Sequence, residues 1–175
     1  MKGIFNLDGL KNNSISKKSG TNGIYLWGVK NGSRYIPLYV GKGRNIHERI
    51  FQHLSRWRGG EYRIPKWSEI TATTISIPFT KDNKLLYIPH GANLYSDFLK
   101  NKTIQATIKK VIDNFFCCWL ELSESINLYE EEDALATIFG KGKLISSHRK
   151  KDTLPTKFTK QLYDDFNNAT KKTSP

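Results

Sequence analysis

The chain has 175 residues, 38% of them hydrophobic, with nine Phe, eight Tyr and four Trp. That length and content support one domain with its own core and exclude wholesale disorder. A formal net charge of +12 and a pI near 9.7 point to a polyanionic partner, nucleic acid ahead of an anionic membrane surface. No apolar run approaches the roughly 20 residues that span a bilayer. Residues 1–20 lack the apolar stretch of a signal peptide. Cys117 and Cys118 are the two cysteines, adjacent in sequence, so no disulfide framework is expected. A reducing, cytoplasmic setting fits, and no Cys/His spacing suggests structural zinc.

Residues 1–22 read as an N-terminal arm. Ile4, Phe5 and Leu10 are apolar enough to pack on the body, but residues 12–20 are polar loop. Residues 23–30 alternate as a strand, with Tyr25, Trp27 and Val29 on one face and Ile24 and Leu26 on the other. Asn31-Gly32 predicts a tight hairpin turn and residues 35–40 the return strand. Pro37 lacks an amide donor and should lie at an edge or bulge. Such a hairpin brings Tyr25 and Tyr39 together. Residues 41–44 read as a basic loop. Asn45 is then an N-cap, with Glu48 completing a capping box. Ile46, Ile50, Leu54 and Trp57 recur at helical spacing as the buried stripe. Arg49, His53 and Arg56 follow i, i+4, i+7 on a separate face. Gly59-Gly60 should end this helix.

Residues 58–115 read as an insertion. A strand is expected over 70–79, a turn at 81–84, a return strand over 85–88 and a short helix over 94–99. A further helix is capped by Thr103, with Ile104, Ile108, Val111 and Ile112 apolar. Residues 115–122 follow as a buried strand. The next helix spans 126–139, closed by Gly140, and a basic loop leads to Leu144-Ile145-Ser146. Pro155 opens a last helix that turns Phe158, Leu162 and Phe166 inward, and 170–175 should fray. The chain thus divides into the arm, a body over 23–152 with its insertion, and a C-terminal helix and tail over 153–175.

The residues gathered near the hairpin have the makings of phosphodiester chemistry. That reaction needs a base for water, cations for charge building on phosphate, and stabilisation of the leaving alkoxide. Tyr25 and Tyr39 lie close to Lys42 and Arg49, and neighbouring cations lower a phenol's pKa. Arg49 suits bidentate contact with phosphate. His53, one turn on, can donate a hydrogen bond or relay a proton. Mg²⁺ takes one or two protein carboxylates and keeps waters. Leu128, Glu132, Leu135 and Phe139 share a helical stripe, which singles out Glu132, because a carboxylate among apolar residues is costly unless paired or metal-bound. Glu131 lies at the margin as a reserve ligand, and Glu130 faces solvent. Arg44, Arg56, Arg58, Arg63 and Lys66 belong with the other basic residues as phosphate contacts. Trp57, Tyr62 and Trp67 interleave with them, which suits either base stacking or the core. His47, His90 and His148 read as structural.

Gly23-Ile24-Tyr25, a spacer, Tyr39-Val40-Gly41 and an arginine ten residues after the second tyrosine resemble the GIY-YIG nuclease superfamily. The run Tyr39-Val40-Gly41-Lys42 with Asn45 and Arg49 is similar in spacing to the module of nucleotide-excision-repair incision subunits. His53 after Arg49 is similar to a variant in some restriction endonucleases of the superfamily. Glu132-x-x-Leu135-Ala136 with Phe139-Gly140 resembles the metal-binding glutamate segment. The matches cover about 23–57 and 116–146.

The resemblance implies an α+β fold, a small three-stranded antiparallel sheet flanked by helices, here with an inserted hairpin and helical segment. It implies metal-dependent cleavage, with Tyr25 or Tyr39 activating water, Lys42 and Arg49 on the phosphate, His53 assisting, and Glu132 holding Mg²⁺ or Mn²⁺. Where the family has an asparagine after the glutamate helix, this chain has Ser146, which either supplies a weaker hydrogen bond or marks a lost role. The expected function is a stand-alone, site-specific endonuclease of restriction or defence type, cutting double-stranded DNA and compatible with a homodimer. The alternative is a catalytically inactive nucleic-acid-binding module.

Overall fold

The structure, a computed structural model, describes residues 2–6, 21–32, 34–59, 62, 64–65, 67, 85–87, 100–139 and 153–171. Its centre is an antiparallel sheet. Strand β2 (Gly23–Asn31) turns at Gly32 into β3 (Arg34–Gly43), and β6 (Phe115–Glu121) pairs with the other side of β2. Gly32 has φ of 60°, a backbone conformation that glycine adopts without steric cost. The α+β class and these three strands match the expectation from sequence. The sheet is wider than expected, because Lys2–Asn6 forms a fourth strand, β1, antiparallel to β6. The strand order is β1-β6-β2-β3. The arm reading therefore fails for residues 2–6: with Ile4 opposite Cys118 and Phe5 opposite Cys117, the segment satisfies backbone groups of β6 that would otherwise form an open edge.

Strand β3 forms the other edge. Trp27 pairs with Tyr39 but Gly28 pairs with Pro37, so Leu38 is the extra residue of a bulge. Pro37 is thus accommodated as its missing donor requires, on an edge strand beside a bulge. The strand also runs further than the sequence suggested. Lys42 and Gly43 pair with Ile24 and Gly23, so the expected basic loop is an extension of β3.

Helices cover both faces. Helix α1 (Ile46–Arg58) packs on β2 and β3, beside α2 (Lys102–Asp113). With Tyr25, Trp27, Val29, Leu38, Phe115 and Trp119 they enclose one core. On the opposite face, α3 (Leu128–Phe139) lies on β3 and β2, and α4 (Lys157–Lys171) packs against α3 and β6. Ile24, Leu26, Val40, Phe116, Leu135, Leu162 and Phe166 fill that second core. Period-two alternation in β2 and β6 thus feeds two cores from single strands. Cys117 and Cys118 illustrate it: both are buried and free, one in each core.

The local signals that set α1 are present. The Asn45 side chain accepts from the Glu48 amide at 3.4 Å and donates to the Glu48 carboxylate at 3.0 Å, a capping box closed through the side-chain amide. The helix ends at Arg58, with Gly59 as C-cap. Within the insertion, β4 (Ile64–Pro65) pairs antiparallel with β5 (Leu85–Tyr87). The expected strand over 70–79, turn at 81–84 and helix over 94–99 lie outside the described residues. Helix α2 is capped two residues earlier than expected, by Asn101 accepting from the Ile104 amide at 3.0 Å. Its Ile108, Val111 and Ile112 are buried in the first core, so the C-terminal end of the insertion is part of the body.

Candidate active site

Tyr25 and Tyr39 do converge, but diagonally. Tyr25 faces Gly41 across the ladder and Tyr39 faces Trp27, and the two phenol rings lie with centroids 6.2 Å apart. Gly41 makes this possible. A Cβ there would stand 2.5 Å from the Tyr25 hydroxyl and 2.8 Å from the Tyr39 ring, so the phenol lies over bare backbone. Both rings pack on His53, at 5.6 Å from Tyr25 and 5.0 Å from Tyr39. Tyr62 from the insertion closes over the same imidazole at 5.2 Å.

His53 is not on a polar face of α1, as its spacing with Arg49 and Arg56 suggested. It is 2% exposed. It stands three residues after Ile50 and four before Trp57, inside the apolar stripe, and Tyr62 covers what the sheet leaves open. Both ring nitrogens lack a hydrogen-bond partner among the described residues. Unpartnered buried polar atoms of this kind are costly. Burial, reinforced by the charges of Arg49 and Arg56, pulls the imidazole pKa down to about 3, so the ring is neutral at physiological pH.

The phenols depart from expectation in the same way. Burial raises both, and it outweighs Arg49, which acts to lower them. Tyr25, 0% exposed, is held well above the ordinary phenol range, with Tyr39 adding to the effect of burial. Tyr39 is pushed up to about 12 by burial and then by the negative charge of Glu132. Arg49 thus acts in the expected direction but is outweighed by burial, and both phenols are protonated donors in the free protein. Tyr39 retains some solvent exposure where Tyr25 has none.

Lys42 and Glu132 form the other half of the cluster. Opposite Ile24 in the ladder, Lys42 lies on the sheet face that α3 covers. Its ammonium forms an ion pair with Glu132 and stands 3.9 Å from the centre of the Tyr129 ring. The Glu132 side chain is 16% exposed. Glu131 is the more buried of the two, at 6%, which corrects the order read from the stripe. The reason is that α3 has two neighbours, the sheet and α4. Glu131 points to the second, accepting from the Thr156 hydroxyl at 2.5 Å. Thr156 and Thr159 cap α4 reciprocally, each side-chain oxygen accepting from the other's amide, at 3.2 and 2.9 Å. Burial raises the Glu131 carboxyl pKa while Thr156 opposes the rise. Glu131 thereby helps to hold α4.

The candidate residues thus fall on both sides of edge strand β3. Tyr25, Tyr39, His53 and Arg49 lie towards α1, Lys42 and Glu132 towards α3. Tyr39 is the residue that feels both Arg49 and Glu132. One partly exposed carboxylate fits a Mg²⁺ or Mn²⁺ site, since such ions bind through one or two carboxylates and retain waters. Arg49 is held through Gln52, to which it donates at 3.2 Å, while Gln52 donates to Glu48 at 3.1 Å.

Of the surface candidates, Arg44, Arg56 and Arg58 are exposed, and Arg56 donates to the Tyr62 hydroxyl at 3.3 Å. Trp57 is corrected to a core residue. It is 3% exposed, edge-on to Trp27 at 5.1 Å and to Phe115 at 5.0 Å, so its faces are not free to stack on bases. Trp67 is half-buried, with the Lys110 ammonium 5.1 Å from its ring centre. Arg63, Lys66 and Ser146 lie outside the described residues. Sequence reasoning missed Tyr129, although its place three residues before Glu132 puts the two on one helical face. It also left His47 without its partner: His47 is buried and bonds to Glu121 at 3.0 Å, joining α1 to the end of β6 across 74 residues.

No protein-family model, curated protein or solved structure matches the chain.

Proposed function

We propose that the chain is a divalent-metal-dependent endonuclease of GIY-YIG type that hydrolyses phosphodiester bonds in double-stranded DNA, acting at specific sites. The observation that carries this reading is Tyr39: a partly exposed phenol between Arg49 on one side of β3 and the Lys42–Glu132 pair on the other. Water, phosphate and cation need to meet at one point, and Tyr39 is the phenol that feels both Arg49 and Glu132.

In this reading Tyr39, not the enclosed Tyr25, touches the attacking water. Arg49 forks onto the phosphate oxygens. Tyr25 and the neutral His53 form the buried floor that fixes the Tyr39 ring and keeps solvent from it. Glu132 holds the metal ion. When bound there, the ion would supply a Lewis acid for the phosphate and would offset the carboxylate charge that adds to burial in keeping the proton on Tyr39. Lys42, released from Glu132, becomes free to stabilise charge on phosphate. Arg44, Arg56 and Arg58 hold the flanking backbone.

One observation favours the second reading, a nucleic-acid-binding module without cleavage: Glu132 already has a cationic partner in Lys42. A plasmid assay with Mg²⁺, Mn²⁺ or EDTA separates the two. Discrete fragments that vanish with EDTA, in Glu132→Ala and in Arg49→Ala support the nuclease. Smearing under the same controls keeps the site but removes the claim of specific recognition. Salt-sensitive binding without cleavage of any duplex, single strand or RNA supports the module.

A further inference from the structure

Beside the ion pair lies a cavity of about 460 Å³, walled by Asn22, Lys42, Arg44, Glu124, Asn127 and Tyr129 among others. Cavities of this size suit small ligands the size of a nucleotide. The chemistry assigned above touches it only through Lys42 and Arg44. Its walls are mixed in a particular way. Lys42 and Arg44 are cations, Glu124 is a carboxylate, Asn22 and Asn127 bring amides, and Tyr129 brings an aromatic ring.

Tyr129 is the unusual member. It is 69% exposed, one of two large hydrophobic side chains so exposed among the described residues, and leaving an aromatic ring in water forgoes the stabilisation of burying it. Nothing in the core needs it there. What holds it in place is local: its amide donates to the Asn127 side chain at 3.1 Å, at the start of α3, and the Lys42 ammonium sits against the ring. A ring backed by a cation and otherwise exposed is a stacking platform for a flat ligand. Arg44 is exposed, and its guanidinium fork suits a phosphate.

We infer that this cavity binds one unpaired nucleotide next to the phosphate that is cut, with its base on Tyr129, its phosphate on Arg44 and its polar edge towards Glu124 and Asn127. The inference rests on the nuclease reading of the neighbouring site and deepens it by naming the substrate's form. Within a duplex both faces of a base are covered by stacking neighbours. Tyr129 reaches a base face only where a nucleotide is single-stranded, terminal or turned out of the stack. The carboxylate accepts from exocyclic amino groups of adenine or cytosine, which thymine lacks. The preferred substrate is therefore a duplex with an unpaired nucleotide at the cleavage position.

The test is binding in EDTA, so that it is independent of cleavage. Fluorescence anisotropy compares the full chain on a blunt duplex and on the same duplex carrying a short single-stranded overhang, with Tyr129→Ala and Tyr129→Phe alongside. The wild type should bind the overhang tighter by roughly 5- to 100-fold, the range of stacking one base on an aromatic ring. Tyr129→Phe should keep that preference and Tyr129→Ala should abolish it, with blunt-duplex affinity unchanged. Equal affinity for both DNAs, or a preference that survives in Tyr129→Ala, overturns the inference. If metal-dependent cleavage is observed with no such preference, this inference fails alone. If neither DNA binds at low salt, the nuclease reading fails with it.

Discussion

His53 carries the sharpest stability prediction. Burial lowers its pKa from the ordinary 6.5 to about 3 in the folded protein, which at 1.36 kcal/mol per pH unit is on the order of a few kcal/mol. The folded protein binds fewer protons at this site than the unfolded chain does between those two values. The contribution is therefore complete above pH 6.5 and is lost as pH falls towards 3, with a limiting slope of about 1.4 kcal/mol per pH unit. A domain of this size has roughly 5–15 kcal/mol in total, so a contribution of this order is large enough to measure. The perturbation is His53→Leu, which keeps apolar volume and removes the proton site along with two buried nitrogens that have no partner among the described residues. Urea denaturation at intervals from pH 7 to pH 4 is the assay. At pH 7 the variant should be as stable as the wild type or more so, by ~1 kcal/mol, because replacing an unsatisfied buried group by an apolar one relieves its desolvation cost. Below pH 6 the two curves should separate by about 1.4 kcal/mol per unit. Glu131, whose carboxyl pKa is raised, acts in the opposite direction but is common to both proteins and drops out of the comparison. Parallel pH profiles for the two proteins would refute the reasoning.

Other outcomes follow from the packing. Gly41→Ala places a Cβ 2.5 Å from the Tyr25 hydroxyl, and should cost about 1–3 kcal/mol as overpacking while displacing both phenols; thermal melts and near-UV dichroism report it. Trp57→Ala should cost about 3–5 kcal/mol as a core cavity, seen in the denaturation midpoint; a variant of wild-type stability with weakened DNA binding would return Trp57 to the surface role read from sequence. Thr156→Val leaves the Glu131 carboxylate without its donor and α4 without its N-cap, and should cost about 2–3 kcal/mol in urea denaturation. The Tyr39 phenol, raised from 10 to about 12, favours the folded state fully below pH 10 and progressively less above it. Phenolate absorbance should therefore show both Tyr25 and Tyr39 ionising late, and Tyr39→Phe should remove the earlier of these two late steps.

The elements most legible in the sequence were those with period and punctuation together. Asn31-Gly32 marked the hairpin, Pro37 the bulged edge, and Asn45 with Glu48 the start of α1, each for a local reason that tertiary packing did not override. The apolar stripe Ile46, Ile50, Leu54, Trp57 was legible too. What was not legible depended on partners distant in the chain. His53 read as polar because its covering Tyr62 comes from the insertion. Glu131 read as marginal because α4, about 25 residues on, could not be weighed as a second neighbour. β1 was hidden because a strand at a sheet edge needs only a free neighbour, here β6, and not a strong pattern of its own. The phenol pKa direction was misread for a related reason: the cations are visible in sequence, but the burial that outweighs them is not.

The central claim is that Tyr39, at the meeting of the two halves of the site, performs the chemistry. Single-turnover cleavage of duplex DNA with Mg²⁺, by wild type, Tyr39→Phe and Tyr25→Phe, tests it most directly. Loss of one hydroxyl leaves the ring packing in place, so both variants should fold and bind DNA as the wild type does. Tyr39→Phe should cut at least 100-fold more slowly, the scale of one acid–base group, and Tyr25→Phe should be affected less. Cleavage by Tyr39→Phe at the wild-type rate would contradict the account.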